Sequence, residues 1–257
     1  MNVRSLGLST DLQILGLRGT IVDRGDYLVV RTPDDPGYYY GNLLVLRTAP
    51  QVGEVAYWTR KFGEELKHEQ LRHVTFRWDG ITGDVGARAE LEAAGFELEL
   101  TDVMTAPAAA ITRALGAFPI RTLTPDEVLT TADLSWANGD RHDDAYRQFL
   151  DRRALWKSEL VHTGSARLYG AFDGDALVGT LGLVALGDVA RYQDVEVAAT
   201  HRKRGIASAL LSAAAADAAA ETLVIVADSG GDPARLYERV GFRTIEHTAS
   251  ACWRPTG

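Results

Sequence analysis

Apolar residues change their spacing along the second half of this chain, and each spacing predicts a different element. Two apolar runs on either side of Asp173-Gly174 predict a β-hairpin, and a third run at 189–199 predicts another antiparallel strand. The Ala-rich stretch 204–220 predicts a helix, since alanine has the highest intrinsic helix propensity. Residues 222–228 are mostly β-branched or apolar and predict a strand. Because strand, helix and strand form a crossover, the strands at 222–228 and 189–199 are expected to run parallel.

The middle of the chain predicts a join between two domains. The segment 102–127 interrupts the regular patterning with small residues and three prolines, which is typical of a connection between domains. We therefore predict one domain at 1–112 and another at 113–257. Residues 124–163 predict helical structure that begins at the N-cap Thr124.

The sequence contains one short phrase twice. RAELEAAGF at 88–96 and ARLYERVGF at 234–242 share a glutamate and a closing Gly-Phe pair, and each predicts a short helix that a glycine ends. Tyr237 of the second copy stands where the first copy has Leu91. The order strand, helix, strand, helix, strand surrounds both copies and indicates a two-copy internal repeat of class α/β with a mixed (α+β) sheet. In the first half these five elements are predicted at 41–49, 52–66, 73–79, 87–96 and 96–106.

Amino-acid composition and net charge restrict the cellular compartment and the kinds of binding partner that we expect. The net charge of −8 would repel nucleic acid and anionic membranes. The single cysteine, Cys252, excludes an intrachain disulfide and is typical of a reducing cytosol. The first residues show no signal peptide, and no apolar stretch reaches the roughly 20 residues of a membrane span. We expect a soluble cytoplasmic protein without nucleic-acid or membrane partners.

The turn between the strand at 189–199 and the following helix has the chemistry of an anion site. Arg202, Lys203 and Arg204 crowd this turn, although cations at a helix N-terminus oppose the helix dipole. Gly205 and Ala207 have almost no side chain and would let a phosphate approach the backbone. We favour an anion site here over a solvated basic turn.

These residues also resemble a known family. Arg202-x-x-Gly205-x-Ala207 resembles the Arg/Gln-x-x-Gly-x-Gly/Ala signature of the GNAT superfamily of acyl-CoA-dependent N-acetyltransferases. The preceding strand QDVEV is of the kind that holds pantetheine in that family, and ARLYERVGF is similar to its small-x-x-Leu-Tyr-Glu-x-x-Gly-Phe ending. The resemblance covers roughly residues 118–254. The first half is similar to the C-terminal part of the same fold but reads RTAPQVGEVAY where the signature should stand, so we interpret it as a degenerate GNAT-like half.

The resemblance implies that acetyl-CoA is the acyl donor. Backbone amides of the turn would bind the CoA pyrophosphate, and backbone groups of the preceding strand would pair with the pantetheine amides. The cofactor-binding residues that it implies are Val195, Glu196, Val197, Arg202, Lys203, Arg204, Gly205, Ile206, Ala207 and Ser208.

The resemblance also implies catalytic residues and a reaction. Tyr237 occupies the family's place for the acid that protonates the departing CoA thiolate, since a phenol with a reference pKa of about 10 is suited to that step. Leu91 has no proton to give, so we interpret the first copy of the phrase as scaffold. Glu196 is our first choice for the base, and Asp194, which projects to the same face of the strand, or a water molecule is the alternative. The implied reaction transfers an acetyl group to a primary amine in a ternary complex.

Several readings stay open at this point. The protein is either this N-acetyltransferase, a CoA-binding regulatory module without turnover, or a structural domain. The acceptor is a small-molecule or peptide amine, for which the acidic surface favours a polyamine, an aminoglycoside or a lysine side chain. The two-half layout also resembles mycothiol synthase, whose acceptor is an aminothiol glycoside. We predict no metal site, since His142 lacks a second nearby His or Cys, and either a monomer that forms an intrachain pseudo-dimer or a homodimer.

Overall fold

The computed structural model describes residues 2–67 and 71–255, and the chain forms two compact units. The first unit consists of Met1–Val103, Val226–Ala234 and Thr244–Gly257, and the second consists of Met104–Ile225 and Arg235–Arg243. The division into domains 1–112 and 113–257 stays a prediction.

The helices and strands alternate along both halves. In chain order the helices are α1 (Leu6–Gly16), α2 (Val55–Glu65), α3 (Arg88–Ala93), α4 (Pro125–Val128), α5 (Thr131–Asn138), α6 (Asp144–His162), α7 (Ile206–Ala216) and α8 (Asp232–Val240). The strands are β1 (Thr20–Asp23), β2 (Tyr27–Arg31), β3 (Leu43–Leu46), β4 (Val74–Trp78), β5 (Glu97–Pro107), β6 (Ile120–Thr122), β7 (Ala166–Asp173), β8 (Ala176–Leu186), β9 (Val189–Val197), β10 (Thr222–Asp228) and β11 (Arg243–Trp253).

The second unit contains the predicted hairpin and crossover. Its strands lie in the order β10-β9-β8-β7-β6. β7, β8 and β9 pair antiparallel in succession, and β10 pairs parallel with β9. These pairings confirm the hairpin at the Asp-Gly turn, the third antiparallel strand and the parallel crossover through α7. Parallel and antiparallel pairing together confirm the predicted mixed α/β class.

The helical stretch predicted at 124–163 is three helices rather than one. It begins as predicted, because the Thr124 side chain and Glu127 form a reciprocal capping box at the start of α4. The chain leaves the helix at Gly139, and α6 begins again at a new N-cap, Asp143, which accepts a hydrogen bond from the backbone of Tyr146. Gly139 and the N-cap Asp143 are local signals of the interruption after α5, which the prediction of one helical stretch did not use.

Helix α7 is shorter at both ends than the predicted 204–220. It begins at Ile206 because Gly205 is left-handed, and it ends at Ala216. Asp217 follows as the C-cap, where its carboxylate opposes the helix dipole. The Tyr169 hydroxyl donates a hydrogen bond to that carboxylate at 3.1 Å, which offsets the unfavourable interaction with the dipole.

The first unit repeats the strand and helix order that the sequence predicts. β3, α2, β4, α3 and β5 all form, and β3 pairs parallel with β4 as the crossover requires. Leu91 of α3 is fully buried, and Phe96 stacks on Phe76 at 5.3 Å. The first copy of the repeated phrase therefore packs a core, as predicted. The prediction assigned no element to the residues that form α1, β1 and β2.

Two buried carboxylates hold the N-terminus of α1. The backbone N–H groups of Arg4 and Ser5 each donate to Asp79 at 2.9 Å, and the N–H of Leu6 donates to Glu246 at 2.8 Å. Both carboxylates are less than a tenth exposed. The protein thus satisfies the open amides and the positive end of this helix with its own side chains.

Buried His73 should make the stability of the first unit depend on pH. It is 3% exposed, and its Nε2 lies 3.0 Å from the carbonyl oxygen of Asn42. Burial lowers the pKa of His73, and hydrogen bonds with the backbone of Asn42 and Tyr39 oppose this only in part. The unfolded chain therefore binds the proton more tightly, so this stability is present above the unfolded pKa and is lost as pH falls below about 6.5.

The measurement is urea unfolding between about pH 5.5 and 7.5 for the wild type and His73→Gln. The free energy of unfolding of the wild type should decrease toward acid by up to about 1.4 kcal/mol per pH unit from this group. The variant should show a shallower decrease. Equal slopes for the two proteins would contradict the assignment.

Candidate functional site

The turn before α7 has a backbone shape that opens the helix N-terminus to solvent. Lys203 and Gly205 both have positive φ, +61° and +78°. Gly205 tolerates this conformation because it has no Cβ. Residues 202–205 are exposed, and Ile206 anchors the first turn of the helix in the core. The sequence-predicted turn residues are therefore together and accessible.

The first backbone N–H groups of α7 have no partner. Within residues 2–67 and 71–255, no acceptor receives a hydrogen bond from the N–H of Gly205, Ile206, Ala207 or Ser208, and no side chain caps this helix. Exposed amides at the positive end of a helix are suited to bind an anion such as a phosphate.

The cationic side chains of the turn are braced by neighbouring groups. The Arg204 guanidinium lies 4.5 Å from the centre of the Phe118 ring. His201 contacts the same ring edge-on, and its Nε2 lies 3.1 Å from an Asp173 carboxylate oxygen. The Nε of Arg202 donates a hydrogen bond to the carbonyl oxygen of Val197 at 3.4 Å. These contacts keep positive charge beside the open amides.

The corresponding turn of the first half is filled by carboxylates. The N–H of Gln51 donates to Glu54 at 2.9 Å, and the N–H of Gly53 donates to Glu90 of α3 at 2.6 Å. Both carboxylates bind amides of the loop before α2 while no side chain caps the helix itself, and their negative charge would repel a phosphate at this loop. This arrangement supports the interpretation of the first half as degenerate.

Strand β9 contains a bulge at Asp194. Thr180 pairs with Glu196 and Gly182 pairs with Gln193, so Leu181 of β8 lies opposite two residues of β9. Asp194 has positive φ, +50°, and its carboxylate lies 3.0 Å from Lys157 of α6. The bulge interrupts the ladder just before the turn.

The two candidate bases differ in their surroundings. Desolvation would raise the pKa of Asp194, but the positive charges of Lys157 and Arg153 outweigh it and lower the pKa to about 2. A carboxylate with that pKa accepts protons poorly near neutral pH. The Glu196 carboxylate accepts hydrogen bonds from Ser135 at 2.6 Å and from Asn138 at 2.9 Å.

Asn138 is a residue of this region that the sequence analysis missed. Its side-chain amide also donates to the carbonyl of Val197 at 3.2 Å, and its side-chain oxygen accepts from the N–H of Ala199 at 2.9 Å. Asn138 therefore ties the end of β9 to the end of α5. No motif marks it, and its only sequence signal is its place before Gly139 at a helix end.

Tyr237 lies in the second unit among aromatic side chains. It is 6% exposed, and its ring centre lies 6.3 Å from that of Phe242 at an angle of 62°. Phe242 also contacts Tyr192 edge-on at 5.7 Å. A Cβ at Gly241 would lie 2.7 Å from the carbonyl oxygen of Ala110. The closing Gly-Phe pair of the repeated phrase thus packs the second unit while it positions the helix that carries Tyr237.

The described residues form neither a candidate metal site nor a candidate membrane-spanning helix. Residues 2–67 and 71–255 bring together no three His, Cys, Asp or Glu side chains that could hold a metal ion. In the same part of the chain, no helix has both the length and the apolar character that crossing a bilayer requires.

Comparison with solved structures shows that the fold is shared over nearly the whole chain. A functionally unknown conserved protein from Staphylococcus epidermidis superposes with a TM-score of 0.78 at 13% identity, over 93% of this chain and 95% of that one. A GCN5-related N-acetyltransferase from Kribbella flavida gives 0.63 at 17% identity, over 97% and 94%. A tandem GNAT protein from the clavulanic acid biosynthesis pathway gives 0.52 at 15% identity, over 83% and 74%.

Comparison of sequences matches a shorter part of the chain. No match was found among curated proteins. The model of the acetyltransferase (GNAT) domain matches residues 164–244, from the end of α6 through the hairpin, the open turn and α8. Residues 164–244 of this chain therefore match the acetyltransferase (GNAT) domain, and the chain as a whole has a mixed α/β fold shared with solved structures of GNAT proteins.

Proposed function

We propose that this protein is an N-acetyltransferase that transfers the acetyl group of acetyl-CoA to a primary amine. The observation that carries the proposal is the N-terminus of α7, where four amides have no partner among the described residues and three basic residues are exposed. In the first unit, Asp79 and Glu246 bind the backbone amides at the start of α1, and Glu54 and Glu90 bind two amides of the loop before α2. An open, cationic helix start in a chain of net charge −8 is suited to an anionic ligand.

The turn and the end of β9 would hold acetyl-CoA. Amides from Arg202 to Ser208 bind the pyrophosphate, and Arg202, Lys203 and Arg204 offset its charge. The backbone of Val195, Glu196 and Val197 pairs with the pantetheine arm as an added strand would. The bulge at Asp194 supports this role, because it interrupts the ladder next to these residues.

Two side chains would move protons during the transfer. Glu196 takes a proton from the acceptor ammonium, directly or through water, and the neutral amine attacks the thioester carbonyl carbon. A C–N bond forms, the C–S bond breaks, and Tyr237 gives its proton to the departing thiolate, while the second proton of the acceptor nitrogen leaves through water and restores the Tyr237 hydroxyl. We prefer Glu196 to Asp194 as the base because Lys157 and Arg153 hold Asp194 in its ionised form with a low pKa.

The experiment that tests this function measures release of free CoA thiol from acetyl-CoA in the presence of a panel of primary amines. The expected result is amine-dependent thiol release together with an acetylated acceptor identified by mass spectrometry. Binding of acetyl-CoA without thiol release for any amine would identify a CoA-binding module instead. Absence of acetyl-CoA binding in calorimetry would contradict both.

A further inference from the structure

Phe118 lies in the connecting segment before β6 and contacts two residues of the open turn. The Arg204 guanidinium lies 4.5 Å from the centre of the Phe118 ring. The His201 ring lies 5.7 Å from the Phe118 ring, centre to centre, at an angle of 72°. Phe118 itself is 9% exposed. One nearly buried side chain from outside the turn therefore contacts both of these turn residues.

The backbone on both sides of Phe118 is anchored within the second unit. A Cβ at Gly116 would lie 2.9 Å from the Cβ of Ala209, so the segment approaches α7 closely at that point. On the other side, the carbonyl oxygen of Pro119 accepts a hydrogen bond from the N–H of Phe172 at 3.0 Å. The Phe118 ring is therefore placed by α7 and β7, independently of the turn that it contacts.

The contact with Phe118 orients Arg204 without neutralising it. In the part of the chain that the structure describes, no carboxylate forms an ion pair with Arg204. Arg141 and Arg147 of the same unit, by contrast, each contact an aspartate at 2.8 Å. A ring face attracts a guanidinium through its quadrupole, whereas a carboxylate would cancel the positive charge. The charge of Arg204 therefore remains available to a bound anion.

We propose that Phe118 is a positioning residue of the acetyl-CoA site, which holds the Arg204 guanidinium beside the open amides of α7 with its charge available to a phosphate. The inference rests on the proposed function and adds a residue from outside the binding turn. In the free protein the ring restricts the rotamers of the Arg204 side chain, so less conformational entropy is lost when a phosphate binds. Without the ring, the turn would have the same charge but would bind the anion less tightly.

The test is calorimetric titration of acetyl-CoA into the wild type and Phe118→Leu. Leucine is apolar but has no ring face, so the Kd for acetyl-CoA should rise about fivefold, which is the scale of a partly exposed cation–π contact. In the Arg204→Gln background, which lacks the guanidinium, Phe118→Leu should raise the Kd less than about twofold further. Equal effects of Phe118→Leu with and without Arg204 would overturn the inference, because a purely structural defect does not depend on Arg204.

Two further variants separate positioning from folding. Phe118→Tyr retains the ring and should bind acetyl-CoA with a Kd within about twofold of the wild type. Leu115→Ala changes a side chain of the same segment that is 89% exposed, and it should leave the Kd unchanged. Circular dichroism and melting check that all the variants are folded. A loss of affinity in folded Phe118→Tyr as large as that in Phe118→Leu would contradict the inference while the transferase function stands.

A second ligand decides the inference even if the proposed function fails. If the wild type does not bind acetyl-CoA, inorganic pyrophosphate replaces it in the same titrations. Binding of pyrophosphate that weakens about fivefold in Phe118→Leu supports the role of the ring in anion binding at the turn. Absence of binding of both ligands, or equal binding by the wild type and Phe118→Leu, refutes it.

Discussion

Ser208→Glu is expected to weaken binding of acetyl-CoA about 100-fold without unfolding the second unit. Ser208 is the third residue of α7, where an acidic side chain interacts favourably with the helix dipole and can accept from the open amides. The same carboxylate would repel the pyrophosphate, because two like charges 4 Å apart interact by about 4 kcal/mol at an effective dielectric constant of about 20. After solvent screening we expect acetyl-CoA affinity to fall about 100-fold.

The measurement is calorimetric titration with acetyl-CoA, paired with thermal melting. Ser208→Gln is the matched control, since it has the same length and no charge, and its affinity should stay within about tenfold of the wild type. In the first half of the chain, the carboxylates of Glu54 and Glu90 already bind amides of the loop before α2. Wild-type affinity in the Ser208→Glu variant would show that the pyrophosphate binds elsewhere.

Tyr237→Phe is expected to lower kcat about 100-fold while acetyl-CoA binds as before. The substitution removes one hydroxyl and retains a ring that is 6% exposed and packed against Phe242. A positioned general acid typically contributes 10²–10⁴-fold, so loss of the proton donor should appear in the chemical step. The measurement is thiol release at saturating concentrations of both substrates, together with a calorimetric Kd for acetyl-CoA.

Tyr192→Phe is the matched control for this variant. Tyr192 contacts the same phenylalanine, Phe242, but its hydroxyl donates to the carbonyl oxygen of Leu211 at 2.9 Å. Loss of that bond should lower the free energy of unfolding by about 1 kcal/mol and leave kcat nearly unchanged. If both variants lose stability and neither loses kcat, Tyr237 is a packing residue and the thiolate takes its proton from another source.

Local chemistry explains which elements were predictable. The Asp-Gly turn, the alanines of α7 and the N-cap Thr124 each act within a few residues, and all three have the predicted effect. Gly95 and Gly241 both have positive φ, as expected of residues that end helices. Periodicity alone did not predict the interruption after Asn138, although Gly139 and the N-cap Asp143 mark it in the sequence.

The open turn was predictable because its residues are contiguous. Arg202 to Ser208 lie in one stretch, so a single segment of sequence contains the cations, the glycine and the helix start. The surroundings of the proposed base were not predictable in this way. Ser135 and Asn138 lie 61 and 58 residues from Glu196, and Lys157 lies far from Asp194 in sequence.

The sequence by itself determined the repeated strand and helix order, the mixed sheet and the place of the open turn, because propensity, capping and turn chemistry are local. Only the tertiary structure decided that β9 has a bulge, that Lys157 pairs with Asp194, and that Ser135 and Asn138 donate hydrogen bonds to Glu196. It also decided that carboxylates fill the equivalent turn of the first half. Each of these features joins residues that are distant along the chain, and only folding brings such residues within the range of hydrogen bonds and charge interactions.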